Sequence, residues 1–131
     1  MKKLKLLIAT VLLAIISNAQ VTTWGFDKSH SNVRFAVSHM VISEVEGNFS
    51  IFEGSVVSSK ADFSDAEITF TIDVSSIDTD SESRDEHLLN EDFFDVAKYP
   101  TIDFRSKSMK NVGENKFELT GDLTMHGVTK E

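Results

Sequence analysis

From Trp24 onward, apolar residues recur at every second position. Val33, Phe35 and Val37 alternate with Asn32, Arg34, Ala36 and Ser38, the pattern of a strand that buries one face. The cleanest run sets Ile68, Phe70, Ile72 and Val74 against Glu67, Thr69, Thr71 and Asp73. Phe49 and Ile51 open another strand between Gly47 and Gly54, where Phe52 breaks the alternation and marks a bulge or burial on both sides. Ile102 and Phe104 resume the period, and Phe117, Leu119, Leu123 and Met125 form a last run interrupted by Gly121. Turn residues cluster at 62–65 and 111–115. Short strands at this spacing, with almost no helix, predict an all-β antiparallel barrel or sandwich. Val128-Thr129 opens one more strand whose partner is missing, so the barrel is expected to be incomplete at its carboxyl end. An open edge of that kind also permits edge-to-edge pairing, and with it a homodimer.

One stretch departs from the strand pattern, SIDTDSESRDEHLLNEDFFDVAKYPTIDF from Ser76 to Phe104. Ser83-Arg84-Asp85-Glu86 fits a capping box and predicts a short helix near residues 84–90. Asp92-Phe93-Phe94-Asp95 then sets two rings between two carboxylates, so the rings are expected inward and the acids at turns or in water. Tyr99-Pro100, with the only proline, forces an extended entry into the next strand.

Composition adds a compartment and a surface. Lys2, Lys3 and Lys5 precede an apolar run from Leu6 to Ile16 and then Ser17-Asn18-Ala19, the pattern of a cleaved secretory signal over residues 1–19. A periplasmic or secreted bacterial protein is expected, with no integral membrane segment once the signal is removed and one domain over residues 20–131. With no cysteine, it has neither a lipidation site nor disulfides. Loss of the three lysines leaves ten Lys+Arg against twenty-one Asp+Glu, a balance of −11, which argues against nucleic acid and against anionic membrane surfaces as partners. Ten phenylalanines, against one tryptophan and one tyrosine, predict an aromatic-rich core or an aromatic-lined cavity.

Chemical motifs are sparse. The four histidines lack paired metal-ligand spacing, and His30 and His39, an odd number apart, fall on opposite faces of a continuous strand. Asp78, Asp80 and Glu82 begin like a calcium loop, but Ser83 stands at the sixth position and Leu89 at the twelfth, where glycine and glutamate are required. There is no cysteine nucleophile, G-x-S-x-G elbow or glycine-rich phosphate loop. No metal, cofactor or catalytic residue is therefore assigned.

Several motifs in order resemble one family. Trp24, Asp27, His30-Ser31, Val33-x-Phe35, Ser38-His39 and Gly47-x-Phe49 are similar to the amino-terminal signature of the YceI-like proteins. The resemblance continues through Ser76-Ile77-Asp78-Thr79, Arg84-Asp85-x-His87-Leu88, Asp92-Phe93-Phe94-Asp95, Tyr99-Pro100-x-Ile102-x-Phe104 and Gly121-x-Leu123-Thr124-x-x-Gly127-Val128-Thr129. It implies a lipocalin-like barrel around an apolar cavity that holds a polyisoprenoid, a long-chain quinone or a prenyl phosphate. Such a protein would sequester or carry the lipid and would not be an enzyme.

On that reading the inward, ligand-facing set is Phe35, Val37, Phe49, Ile51, Ile68, Phe70, Ile72, Phe93, Phe94, Ile102, Phe104, Phe117 and Leu119, each of which also reads as ordinary core. Burying about 15 to 20 prenyl carbons at roughly 0.8 kcal/mol each supplies some 12 to 16 kcal/mol before ordering costs. His30, Arg34, Arg84 and His87 are the head-group candidates, with Lys98 and Arg105 as further cations. A charged head must approach an acidic protein, so a neutral isoprenoid is expected. Two other classes remain open: an envelope metal-dependent or acid/base hydrolase using the histidines and Asp85, and a stress-related interaction module whose interior is filled by side chains.

Overall fold

The computed structural model describes residues 20–39, 43–114 and 116–131. The leader expected over residues 1–19, and Asn115 at the end of the second expected turn, lie outside the described residues. Among the described residues, nine strands and one α-helix follow in chain order: β1 (Thr22–Gly25), β2 (Val33–His39), β3 (Ser43–Phe49), β4 (Phe52–Ser58), β5 (Glu67–Asp73), β6 (Ile77–Asp78), α1 (Glu82–Leu89), β7 (Thr101–Gly113), β8 (Lys116–Met125) and β9 (Val128–Lys130). A 3₁₀ turn over Val74–Ser76 joins β5 to β6.

The strands form two sheets in which every pairing is antiparallel. The larger has the order β1-β4-β5-β7-β8-β9 and the smaller β2-β3-β6. Among the described residues no ladder joins one sheet to the other, so the lipocalin-like barrel that the resemblance implies is not closed.

The alternation in β5 explains the core. Ile72 faces inward between Phe52 of β4 and Ile102 of β7, its cross-strand partners, and all three are buried. Phe49, Val74 and Ile77 complete this cluster from the smaller sheet and the 3₁₀ turn, with Phe35, Phe70, Leu88 and Phe94 packed against it. Each fully buried side chain of this kind contributes about 1.5–3 kcal/mol. On the opposite face of β5, Thr71 donates to the Asp103 carboxylate across the strand pair at 2.8 Å.

Three expectations are corrected. The strand opened by Val128-Thr129 has a partner in the chain, since β9 pairs antiparallel with β8. The strand expected to begin at Phe49 and Ile51 is two strands in different sheets: Phe49 ends β3, Phe52 begins β4, and the chain crosses at Ser50-Ile51. Phe52 therefore takes the inward place, and Ile51 is 56% exposed. The crossing resets the two-residue period, because the Ile51 carbonyl accepts from the Asp73 amide and the Ile51 amide donates to Ser76 Oγ. The helix also begins earlier than the capping box predicts. Ser81 is its N-cap, its carbonyl accepting from the Arg84 and Asp85 amides, and the carboxylate of Asp85 turns away to Thr79.

Ser76 ties two short crossings together. Its carbonyl accepts from the Ser50 amide, and its hydroxyl accepts from the Ile51 amide and donates to the Asp73 carbonyl at 2.6 Å. The passages β3 to β4 and β5 to β6 thus meet at one buried serine.

Glycines admit aromatic rings at close quarters. Gly47 lies opposite Phe35 in the β2–β3 pair, and a Cβ at Gly47 would sit 2.5 Å from the tip of that ring and 2.8 Å from Thr79 Cγ2. At the β8–β9 turn, His126 and Gly127 have φ of 50° and 71°, the left-handed pair that a two-residue hairpin requires.

Candidate functional site

Between the smaller sheet, α1 and the end of β8 lies a hollow of about 770 Å³, within the roughly 300–1,000 Å³ typical of small-molecule sites. β2 and β3 contribute Phe35, Val37, Ser38, Val45 and Phe49; α1 contributes Arg84, His87 and Leu88; the corner after α1 contributes Phe93 and Phe94. Ile102, Met125 and His126 close the far side. Among the described residues no aspartate or glutamate lines it.

Four of the lining residues are phenylalanines in ring contact or near it. Phe49 meets Phe35 at 5.5 Å and Phe94, edge-on, at 6.1 Å between ring centres. Phe94 is half-buried against the core, whereas Phe93 is 48% exposed and edge-on to His87 at 4.9 Å. Of the two flanking acids, Asp92 faces solvent and lies 3.6 Å from His87 Nε2. Asp95 is buried and accepts from Lys98 at 2.8 Å, a hydrogen bond that raises the lysine pKa.

Helix α1 is fastened by one threonine. The buried Thr79 hydroxyl donates to Asp85 at 2.6 Å and accepts from Arg84 Nε at 2.7 Å. The Thr79 amide donates to the same carboxylate, and a second Arg84 nitrogen donates to the Thr79 carbonyl. Because positions three and four apart share a helix face, Arg84, His87 and Leu88 all reach the hollow.

The structure brings together six of the expected ligand-facing residues, Phe35, Val37, Phe49, Phe93, Phe94 and Ile102, with two head-group candidates, Arg84 and His87. Ile68, Phe70 and Ile72 lie on the inner face of the larger sheet but outside the hollow; Phe70 packs against Phe26 and Phe52. Phe104 covers Gly121, and Phe117 and Leu119 are each 41% exposed along β8. Ile51 borders a shallower depression of about 310 Å³ on another face, and Arg105 borders a second one beside Asp103 and Asp122. His30 is exposed and paired with Asp27 at 2.8 Å, a bond that lowers the Asp27 pKa. Arg34 is exposed on the polar side of β2. Among the described residues no three His, Cys, Asp or Glu side chains are grouped to hold a metal ion.

Val45, Leu88, Met125 and His126 were not in the expected set. Val45 had a signal, since it continues the two-residue period of Gly47 and Phe49; Met125 likewise extends the run through Leu119 and Leu123. Leu88 is four residues after Arg84, one helical turn along the same face. His126 enters only because the hairpin folds it back, which no local pattern announces.

Among the described residues, two antiparallel sheets and a short helix around a phenylalanine-lined hollow define the class, a lipocalin-like β protein whose barrel is not closed. The YceI-like domain model matches residues 24–131, and the chain belongs to that family. A UPF0312 protein of Vibrio parahaemolyticus is 34% identical over 122 residues, covering 92% of this chain and 65% of that protein. One from Staphylococcus aureus is 41% identical over 111 residues, covering 85% and 62%. Among solved structures, Burkholderia cenocepacia BcnA superposes with a TM-score of 0.73 at 32% identity, over 79% of this chain and 65% of that one. A polyisoprenoid binding domain from Saccharophagus degradans, implicated in plant cell wall breakdown, shares the fold at a TM-score of 0.65 and 20% identity, over 85% and 63%. The chain thus spans somewhat less than two thirds of the length of each of these proteins. Among the described residues no helix is long and apolar enough to cross a membrane.

Proposed function

We propose that this chain is an exported lipid-binding protein that takes a polyisoprenoid of the quinone or prenyl phosphate type into the hollow between its sheets. The observation that carries the reading is the hollow itself, about 770 Å³ walled by Phe35, Phe49, Phe93 and Phe94. The tail would be held by removal of its apolar surface from water, at about 0.8 kcal/mol per CH₂, a mechanism that needs no catalytic group. Arg84 and His87 would meet the head. The YceI-like family and a structural neighbour described as a polyisoprenoid binding domain support the ligand class. The basic and apolar stretch from Lys2 to Ile16 supports export.

The test is native mass spectrometry with lipid extraction on protein purified from a bacterial envelope. Stoichiometric co-purification of a prenyl lipid supports the carrier reading. A protein that stays empty after exposure to quinones and prenyl phosphates overturns it.

A further inference from the structure

The charge around the hollow runs opposite to that of the chain. The protein carries twenty-one acids against thirteen Lys and Arg, yet among the described residues the ionisable side chains that line the hollow are Arg84, His87 and His126. The arrangement is built by the fold. On α1, Arg84 and His87 are on the face turned to the hollow, while the Asp85 carboxylate is drawn off to Thr79 and Glu82 and Glu86 are exposed. His126 joins them from the β8–β9 turn, where its ring stands edge-on to Tyr99 at 4.9 Å.

Arg84 is the fixed member of this set. Two of its nitrogens are spent on Thr79, which holds the guanidinium in place, and among the described residues no carboxylate is ion-paired with it. Lys98 is paired with Asp95, and Lys107 with Asp122 and Glu131. His87 has Asp92 at 3.6 Å as its acidic neighbour, and His126 has none in contact. A guanidinium anchored on one edge, with its remaining N–H groups free beside an apolar hollow, is suited to a planar or tetrahedral oxyanion.

We infer that the hollow selects amphiphiles with an anionic head, a phosphate or carboxylate, seated at the rim by Arg84 with His126 beside it. The inference rests on the lipid-binding reading above and departs from the neutral head group expected from overall charge. Net charge is a property of the whole surface, whereas a head group at this rim meets the local cations at contact distance and most of the acids only through screening solvent.

The test is displacement of a neutral, apolar fluorophore from the purified protein by three ligands of equal tail length: a prenyl alcohol, its monophosphate and the matching carboxylate. At least one anion is expected to bind about tenfold or more tighter than the alcohol, the gain of a charge-assisted hydrogen bond. Arg84→Gln should abolish that gap. Because Arg84 also holds Thr79, a second variant guards against loss of folding. His126→Asn keeps a residue that tolerates the left-handed turn and should narrow the gap. Alcohol and anions binding equally, or a gap untouched in both variants, overturns the head-group assignment and leaves the lipid reading standing. Failure of all three ligands to displace the fluorophore overturns both.

Discussion

Replacing Gly47 by alanine tests how the hollow is walled. The added methyl would sit 2.5 Å from Phe35 Cζ, 2.8 Å from Cε1 and 2.8 Å from Thr79 Cγ2, all inside contact distance. Thr79 cannot give way cheaply, because it is buried and bonded to both Arg84 and Asp85. The Phe35 ring must move instead, away from β3 and toward the space it borders. Overpacking of this sort costs about 1–3 kcal/mol, partly offset by the roughly 0.4–1 kcal/mol that alanine gains over glycine through the unfolded chain. A net loss of about 1–2 kcal/mol follows. Urea unfolding, with a slope of about 1–3 kcal/mol per molar for a small domain, should register it as a midpoint lowered by roughly half to one molar. Phe35→Leu supplies the matching half of a cycle: in that background Gly47→Ala should cost clearly less, since two of the three close contacts end on the ring and only the one to Thr79 Cγ2 remains. An unchanged midpoint in Gly47→Ala, or a full loss that persists with leucine at position 35, would refute the packing described for this wall.

Other outcomes follow from the same geometry. Thr79→Val removes the hydroxyl shared by Arg84 and Asp85 and should cost about 1–3 kcal/mol; faster amide exchange across α1 checks it, and unaltered exchange counts against the anchor. Asp65 accepts from the Ser58 and Ser59 hydroxyls and the Ser59 and Lys60 amides, which hold its carboxyl far below the ordinary range. A folded-state value below the unfolded one stabilises above about pH 4 and fades as pH falls further. Asp65→Asn should therefore flatten the decline of Tm with acid, and an acid slope identical to wild type would show that this loop does not contribute. Export predicts that protein recovered from the envelope of an expressing bacterium begins at Gln20; an intact mass retaining residues 1–19 would contradict it.

The strand face of β5 was legible because it lies in one sheet with its apolar side turned to the core, so side-chain parity survives along its length. The parity failed at Phe49-Ser50-Ile51-Phe52, where the chain passes from one sheet to the other. Phe52 was visible as an irregularity, but its cause, a crossing fixed by hydrogen bonds to Asp73 and Ser76, is non-local. The helix start shows the same limit. Ser83 and Glu86 have capping-box spacing, yet Thr79 takes the Asp85 carboxylate and the helix begins after Ser81. Site residues grouped in the central stretch, Arg84, His87, Phe93 and Phe94, could be read together, whereas His126 reaches the same hollow only through tertiary folding.

The knot at Ser76 has a mechanical consequence. Two of the chain's passages between the sheets are sewn together at one point, and the remaining two run through longer segments, 26–32 and 79–100. With no ladder joining the sheets among the described residues, the smaller sheet and the larger one are leaves on a common spine. Ser76 lies between Val74 and Ile77 of the buried cluster, so the joint and the packed core coincide, and away from it the two sheets are held to each other by side chains and by the longer passages.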